Sequence, residues 1–247
     1  MLVHNLSHVI LAVRSVEKGE KAAQLLRRAH PKAKVDVWAL DMLSYDSIQA
    51  FAKRCGSLLR LDIVILNAAF GGMSFSINAC TGHEAIFQVN YLSTALLSIL
   101  LLPILKEKRA SGAPGRMAIV SSGLALQASF KNRNIDPLIP SFDDGKDWGM
   151  MSAANRYNDT KTMVLMLVLK LSQAVGAEDV VVTAVDPGYT KSTGLDREAP
   201  GFAKAMLMPL KLVARTPEQA AWTYIDAITA DGRVSHGSFL LNWKIYP

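Results

Sequence analysis

A parallel β-sheet wound with helices on both faces, a doubly wound α/β fold, is what this sequence predicts, and three observations carry it. Short β-rich apolar runs alternate along the chain with stretches of helical periodicity, the order expected of strand–helix–strand units. The runs are apolar throughout instead of alternating with polar residues, so both faces of each strand should be covered. Each run also stops at a polar or turn-forming residue, and the carboxyl ends of such strands are where ligands bind. The length of 247 residues fits one domain over 1–247. No period of 20–50 residues recurs, which excludes a solenoid.

The first run, residues 8–14, is His-Val-Ile-Leu-Ala-Val-Arg and ends in a cation. Residues 16–30 place Ala22, Leu25, Leu26 and Ala29 on one side and charges on the other, as in an amphipathic helix. A second strand, 35–40, closes at Asp41, and a helix over 44–60 opens with Ser44 or Asp46 as its cap. A third strand, 61–66, stops at Asn67-Ala68-Ala69. Gly71 to Gly82 reads as a loop, followed by a long helix over 84–108 that Pro103 should break or bend. Residues 117–120 form a fourth strand ending at Ser121-Ser122, and 125–147 is irregular. The next helix begins close to Tyr157, and a fifth strand over 180–185 ends in Asp186-Pro187-Gly188. Residues 189–215 form an excursion with some helix, 217–230 a helix, and 237–241 the last strand.

Composition narrows the function. Half the residues are hydrophobic and 19% are charged, a globular balance without a disordered tract. The net charge of +6 is scattered, with no basic run beyond 106–109 and no interleaved aromatics, so nucleic acid is not the expected partner. The apolar run 92–105 is broken by Pro103 and falls short of a bilayer span, and no signal-like pattern opens the chain. Neither a membrane partner nor a metal site is therefore expected. Two distant cysteines, Cys55 and Cys80, suit a reducing, cytoplasmic compartment.

The chemistry centres on Tyr157-Asn-Asp-Thr-Lys161. An i,i+4 spacing puts phenol and ammonium on one helical face, and a nearby cation should lower the phenol pKa toward a useful range. Reading off the strand ends adds Arg14, Asp41, Asn67, Ser121-Ser122 and Pro187-Gly188.

In this order the residues resemble the short-chain dehydrogenase/reductase family from about residue 8 to the end. The resemblance implies a Rossmann-like fold and an NADP(H)-dependent oxidoreductase. It implies that Arg14 pairs with the 2′-phosphate, for which a guanidinium is suited. Asp41 would contact adenine, Asn67-Ala68-Ala69 would form the family's Asn-Ala-Gly turn, and Gly188 and Thr190 would hold the nicotinamide carboxamide. Ser122 would bind the substrate oxygen, Tyr157 would donate the proton and also contact the cofactor, and Lys161 would keep the phenol acidic and hold the ribose. Asn90 would link Lys161 to solvent through water. Read without the resemblance, Ser122 is a turn residue and Asn90 a satisfied polar group in a helix.

The chain departs from the family in two places. The opening strand, glycine-rich turn and helix, about 30 residues, are not in the sequence. The fold is thus expected to be N-terminally truncated, with unpaired backbone in a buried place between strands 8–14 and 61–66, and with weakened NADP binding. Ala69 stands where the family has Gly, and its methyl is expected to intrude on the cofactor. A cofactor-independent proton-transfer enzyme (isomerase, dehydratase or cyclase) and an inactive dimer-forming relative therefore stay open beside the reductase. The helices at 84–105 and 157–174 would form the contacts of a homo-oligomer. The apolar residues Phe202, Met206, Leu207, Met208 and Leu210 suggest a hydrophobic ketone or secondary alcohol as the small-molecule substrate.

Overall fold

A computed structural model describes residues 6–146, 148–191 and 214–247. The expected apolar cover at 202–210 lies outside them. Strand β1 (His8–Val13) pairs in parallel with β2 (Lys34–Ala39). Between them runs α1 (Val16–Ala29), opened by the Ser15 hydroxyl, which accepts the Lys18 amide at 3.4 Å. Helix α2 (Tyr45–Gly56) is capped by Ser44, the first of the two expected candidates.

A second sheet runs in the order β3 (Ile63–Leu66), β4 (Gly115–Val120), β5 (Val180–Val185), β6 (Phe239–Leu241) and β7 (Lys244–Tyr246). The first four are parallel and β7 turns back antiparallel. Registers of Leu66 with Ile119 and Val120 with Val185 bring Asn67, Ser121 and Asp186 to one carboxyl edge.

One hydrophobic core joins the two sheets. Trp38 and Leu40 pack with Ile48 and Ala52 of α2, with Leu97, Leu101 and Leu105 of the long central helix, and with Val180 and Val182 of β5. The opposite face of the second sheet buries Val120, Val185 and Leu240 against Ile225 and Ile228 of a helix over Pro217–Thr229. That helix opens with a full capping box on Thr216 and Gln219, with Pro217 in its first turn.

The seam between β1 and β3 falls where the resemblance places a further strand. The unpaired groups do not lie in a buried place, contrary to expectation. No residue of β3 is buried, and in β1 five residues are part-exposed and one exposed, whereas all six of β5 are buried. Water can therefore reach the two free edges, which lowers the cost of each unpaired group.

Three further expectations are corrected. Helix α3 (Ala85–Lys108) runs through Pro103 without ending. Pro103 and Ile99, whose carbonyl loses its donor, are both exposed, so solvent can take the freed acceptor. The irregularity lies earlier, in a π-turn over Gln88–Leu92. The helix spans the expected 84–108, but where the 92–105 run fell short of a bilayer, its 24 residues contain an 18-residue window with a mean hydropathy of 1.8, enough in length and composition to cross a membrane, although 61% of that window is buried inside the fold. Lastly, α4 (Met150–Ala174) begins two turns before Tyr157.

Candidate active site

The site is built where β4 ends against the middle of α4. Ser121 donates its hydroxyl to the Lys161 carbonyl at 2.9 Å, which ties the strand end to the helix. Ser122 is extended, with φ −157°, and caps the short helical turn Gly123–Gln127 by accepting the Leu124 amide at 3.2 Å. That geometry leaves the Ser122 hydroxyl near the Tyr157 side chain, where it acts to lower the phenol pKa. Helix α4 is held in register by the buried Asp159 carboxylate, which accepts the amides of Ser129 and Phe130 at 3.0 and 3.1 Å.

Lys161 is only 2% exposed, and its Nζ donates to the Val120 carbonyl at 2.9 Å. The same nitrogen lies 5.7 Å from the centre of the Tyr157 ring. Here the structure corrects the expected electrostatics. Burial pushes the Tyr157 phenol up to about 12, against the opposing influence of the Ser122 hydroxyl and with help from Asp186 and Tyr224. Burial likewise pulls Lys161 down from 10.5 to about 8, against the attraction of Asp186. Desolvation wins because the buried ammonium's direct partners are an uncharged carbonyl and a ring, with no carboxylate bonded to it among the described residues.

The depressed Lys161 value gives a direct stability prediction. The folded state releases its proton near pH 8 and the unfolded state near 10.5, so below 8 the fold carries the full cost of a buried charge. Between these values the unfolded chain holds more protons, and stability rises with pH. In Lys161→Met that rise is expected to vanish, a difference on the order of 1–3 kcal/mol read from urea midpoints at about pH 7.5 and about pH 10.5. Parallel pH dependences in the two proteins would refute the assignment.

Two residues not singled out by sequence complete the cluster. Asp186, buried directly after β5, accepts the Gly188 amide at 3.1 Å and faces Lys161, Tyr157 and Tyr224. The strand-end rule that found Ser122 also points to this position. Tyr224, on the helix after residue 216, donates to Asn67 Oδ1 at 2.6 Å, and burial pushes its phenol up to about 12. Nothing in the local sequence marks it.

The remaining candidates divide into groups. Asn90 sits in the π-turn and clasps the loop after β3: its Oδ1 accepts the Phe70 amide at 2.7 Å, and its Nδ2 donates to the Phe70 carbonyl and to Thr160. Its bonds therefore run to the backbone of that loop and to the residue before Lys161. Arg14 and Asp41 lie across the seam, at the carboxyl ends of β1 and β2. Arg14 is exposed and has no ion pair among the described residues, while one Asp41 oxygen accepts the Leu43 amide at 3.0 Å. Ala69 is exposed and keeps negative φ, so that turn does not demand glycine. Gly188 does need to be glycine, with φ +72°, and Thr190 donates to its carbonyl at 3.0 Å.

Residues 1–133 match a family model described as short chain dehydrogenase. The chain is 47% identical over 249 residues to the short chain dehydrogenase/reductase mfmJ of Annulohypoxylon moriforme, covering 100% of this chain and 72% of the relative. A short chain dehydrogenase of Shigella flexneri solved in complex with NADP superposes with a TM-score of 0.66 at 21% identity, over 94% of this chain and 84% of that one. The 3-oxoacyl-[acyl-carrier protein] reductase of Brucella melitensis, solved with NAD, gives 0.68 at 16% identity, over 94% and 84%. Sequence match, fold and the ordered strand-end residues agree: the chain belongs to the short chain dehydrogenase/reductase family.

Proposed function

We propose that this chain is an NADP(H)-dependent oxidoreductase that interconverts an apolar ketone and its secondary alcohol. The observation that carries the reading is Tyr157 with the buried Lys161 ammonium 5.7 Å from its ring and Ser122 nearby, at the carboxyl edge of the sheet. The residues present suit the cofactor at both ends. Arg14 offers an exposed guanidinium for a 2′-phosphate, and Lys161 has two N–H groups beyond the one given to Val120 for a ribose. No described residue is assigned to the pyrophosphate.

Bound NADPH would supply the hydride. Ser122 would donate a hydrogen bond to the substrate oxygen and hold its carbonyl in plane. Tyr157, whose phenol is protonated across the neutral range, would hand its proton to that oxygen. Lys161, with a pKa of about 8, would return a proton to the phenolate. Leu124, two residues beyond Ser122 and 44% exposed, supports an apolar substrate.

The test is NADPH titration by fluorescence, followed by turnover of polar and apolar ketones. Arg14→Ala is expected to weaken NADPH about tenfold, one charge-assisted bond's worth, with NADH unchanged. Equal weakening of both nucleotides, or fastest turnover of short polyols and sugars, would overturn the reading. Asp186 and Tyr224 also favour a second one: with Tyr157 and Lys161 they make a four-membered proton-handling cluster. Turnover without any nucleotide would select that proton-transfer enzyme.

A further inference from the structure

We infer that Arg215 is a positioning residue, which clamps the 187–190 turn to the tip of the β6–β7 hairpin and thereby fixes the wall of the site. Three separated segments meet on this one side chain. Its Nη1 donates to the Pro187 carbonyl at 3.0 Å, its Nη2 donates to Asn242 Oδ1 at 2.9 Å, and its Cζ lies over the Trp243 ring, 4.1 Å from the ring centre. The backbone adds two bonds: the Arg215 amide to the Tyr189 carbonyl at 2.8 Å, and the Lys191 amide to the Arg215 carbonyl at 2.9 Å.

The guanidinium pairs with no carboxylate among the described residues. It is used for its fork and its flat face, which lysine lacks. Both sides of the clamp are shaped for it. At Gly188 an added Cβ would lie 2.7 Å from Arg215 Nη1 and 2.9 Å from its Cζ. The turn thus needs glycine for its positive φ, and a Cβ there would push the guanidinium from its place. At the hairpin tip, Asn242 and Trp243 have φ of 51° and 58°. Asn tolerates that region, whereas a bulky residue there is strained. Such a conformation persists where its surroundings over-determine it, and the stacked guanidinium supplies that constraint. The turn in turn reaches the chemistry, since the Gly188 amide bonds Asp186, the carboxylate facing Lys161 and Tyr157.

The inference deepens the reductase reading and rests on it for the cofactor arm only. In the whole chain, Arg215→Ala is expected to raise the NADPH Kd about tenfold, the loss of one charge-assisted bond's worth of order. It should also speed hydrogen exchange at the Gly188 and Lys191 amides, while β4 and β5 amides stay protected. Trp243→Phe keeps a flat ring and should behave as wild type. Arg215→Lys keeps the charge and should restore little. An Arg215→Ala protein with wild-type NADPH affinity and wild-type exchange at 188 and 191 overturns the clamp. Exchange raised equally throughout the sheet overturns it too, since that marks a general structural role. Full rescue by lysine does the same. If the wild type itself fails to bind NADPH, the reductase reading falls, and local exchange alone then decides the clamp.

Discussion

Replacing Tyr157 by phenylalanine is expected to lower kcat for ketone reduction by about 10²- to 10⁴-fold, the usual worth of a positioned general acid. The substitution removes one oxygen and leaves the fold its anchors. Ser122 still accepts the Leu124 amide, and Asp159 still receives Ser129 and Phe130. Nucleotide affinity should therefore stay near the wild-type value, so the loss appears in kcat and not in Kd. The pH profile follows from the two shifted groups. A phenol near 12 is protonated across the neutral range, so reduction should not decline through loss of that proton below strongly alkaline pH. Lys161, near 8, loses its charge first as pH rises, and any alkaline limb in the wild type is expected to begin there. A Tyr157→Phe protein retaining more than about a tenth of the wild-type kcat would remove this phenol from the chemistry.

The tyrosine and lysine were legible because a fixed i,i+4 spacing survives whatever else the chain does. Strand-end residues were legible for a similar reason: an apolar run must stop somewhere, and in a parallel sheet those stops share an edge. What the sequence hid were energies and long-range contacts. The ammonium was expected to dominate the phenol, yet burial of both groups outweighs it, and burial is a property of packing. Tyr224 reaches Asn67 across 157 positions with no local signature. The β6–β7 hairpin was missed because Asn242-Trp243 lacks the glycine that usually marks a two-residue turn, the role of that glycine falling instead to contact with Arg215. The long helix passes Pro103 because that proline points to water, a fact of orientation that composition does not carry.

Glu84→Ala should be the most damaging single change to stability, about 3–5 kcal/mol by urea unfolding at neutral pH, as expected when one member of a buried ion pair is removed. Glu84 is 0% exposed and does two jobs at once. Its oxygens accept the amides of Ile86 and Phe87 at 2.9 Å, which starts α3, and one of them also accepts Arg156 Nη1 at 3.1 Å. Burial raises the Glu84 pKa and lowers that of Arg156, so each group is costly without the other. Arg156 is further packed over Phe142 and Trp148 and donates to the Phe142 carbonyl, while Phe142 stacks on Phe87 at 4.3 Å. Alanine would leave that guanidinium in an apolar aromatic setting with its charge unmatched. Glu84→Gln, which keeps an acceptor for the helix amides, should cost less than half as much. Glu84→Leu combined with Arg156→Met should cost less than Glu84→Ala alone, because two apolar groups leave no orphan charge. If the double change is instead the worse one, the pair is a net source of stability and not a desolvated liability kept for geometry. In either case Arg156 adjoins Tyr157 on the same helix, so activity is expected to fall in Glu84→Ala at temperatures where the chain is still folded.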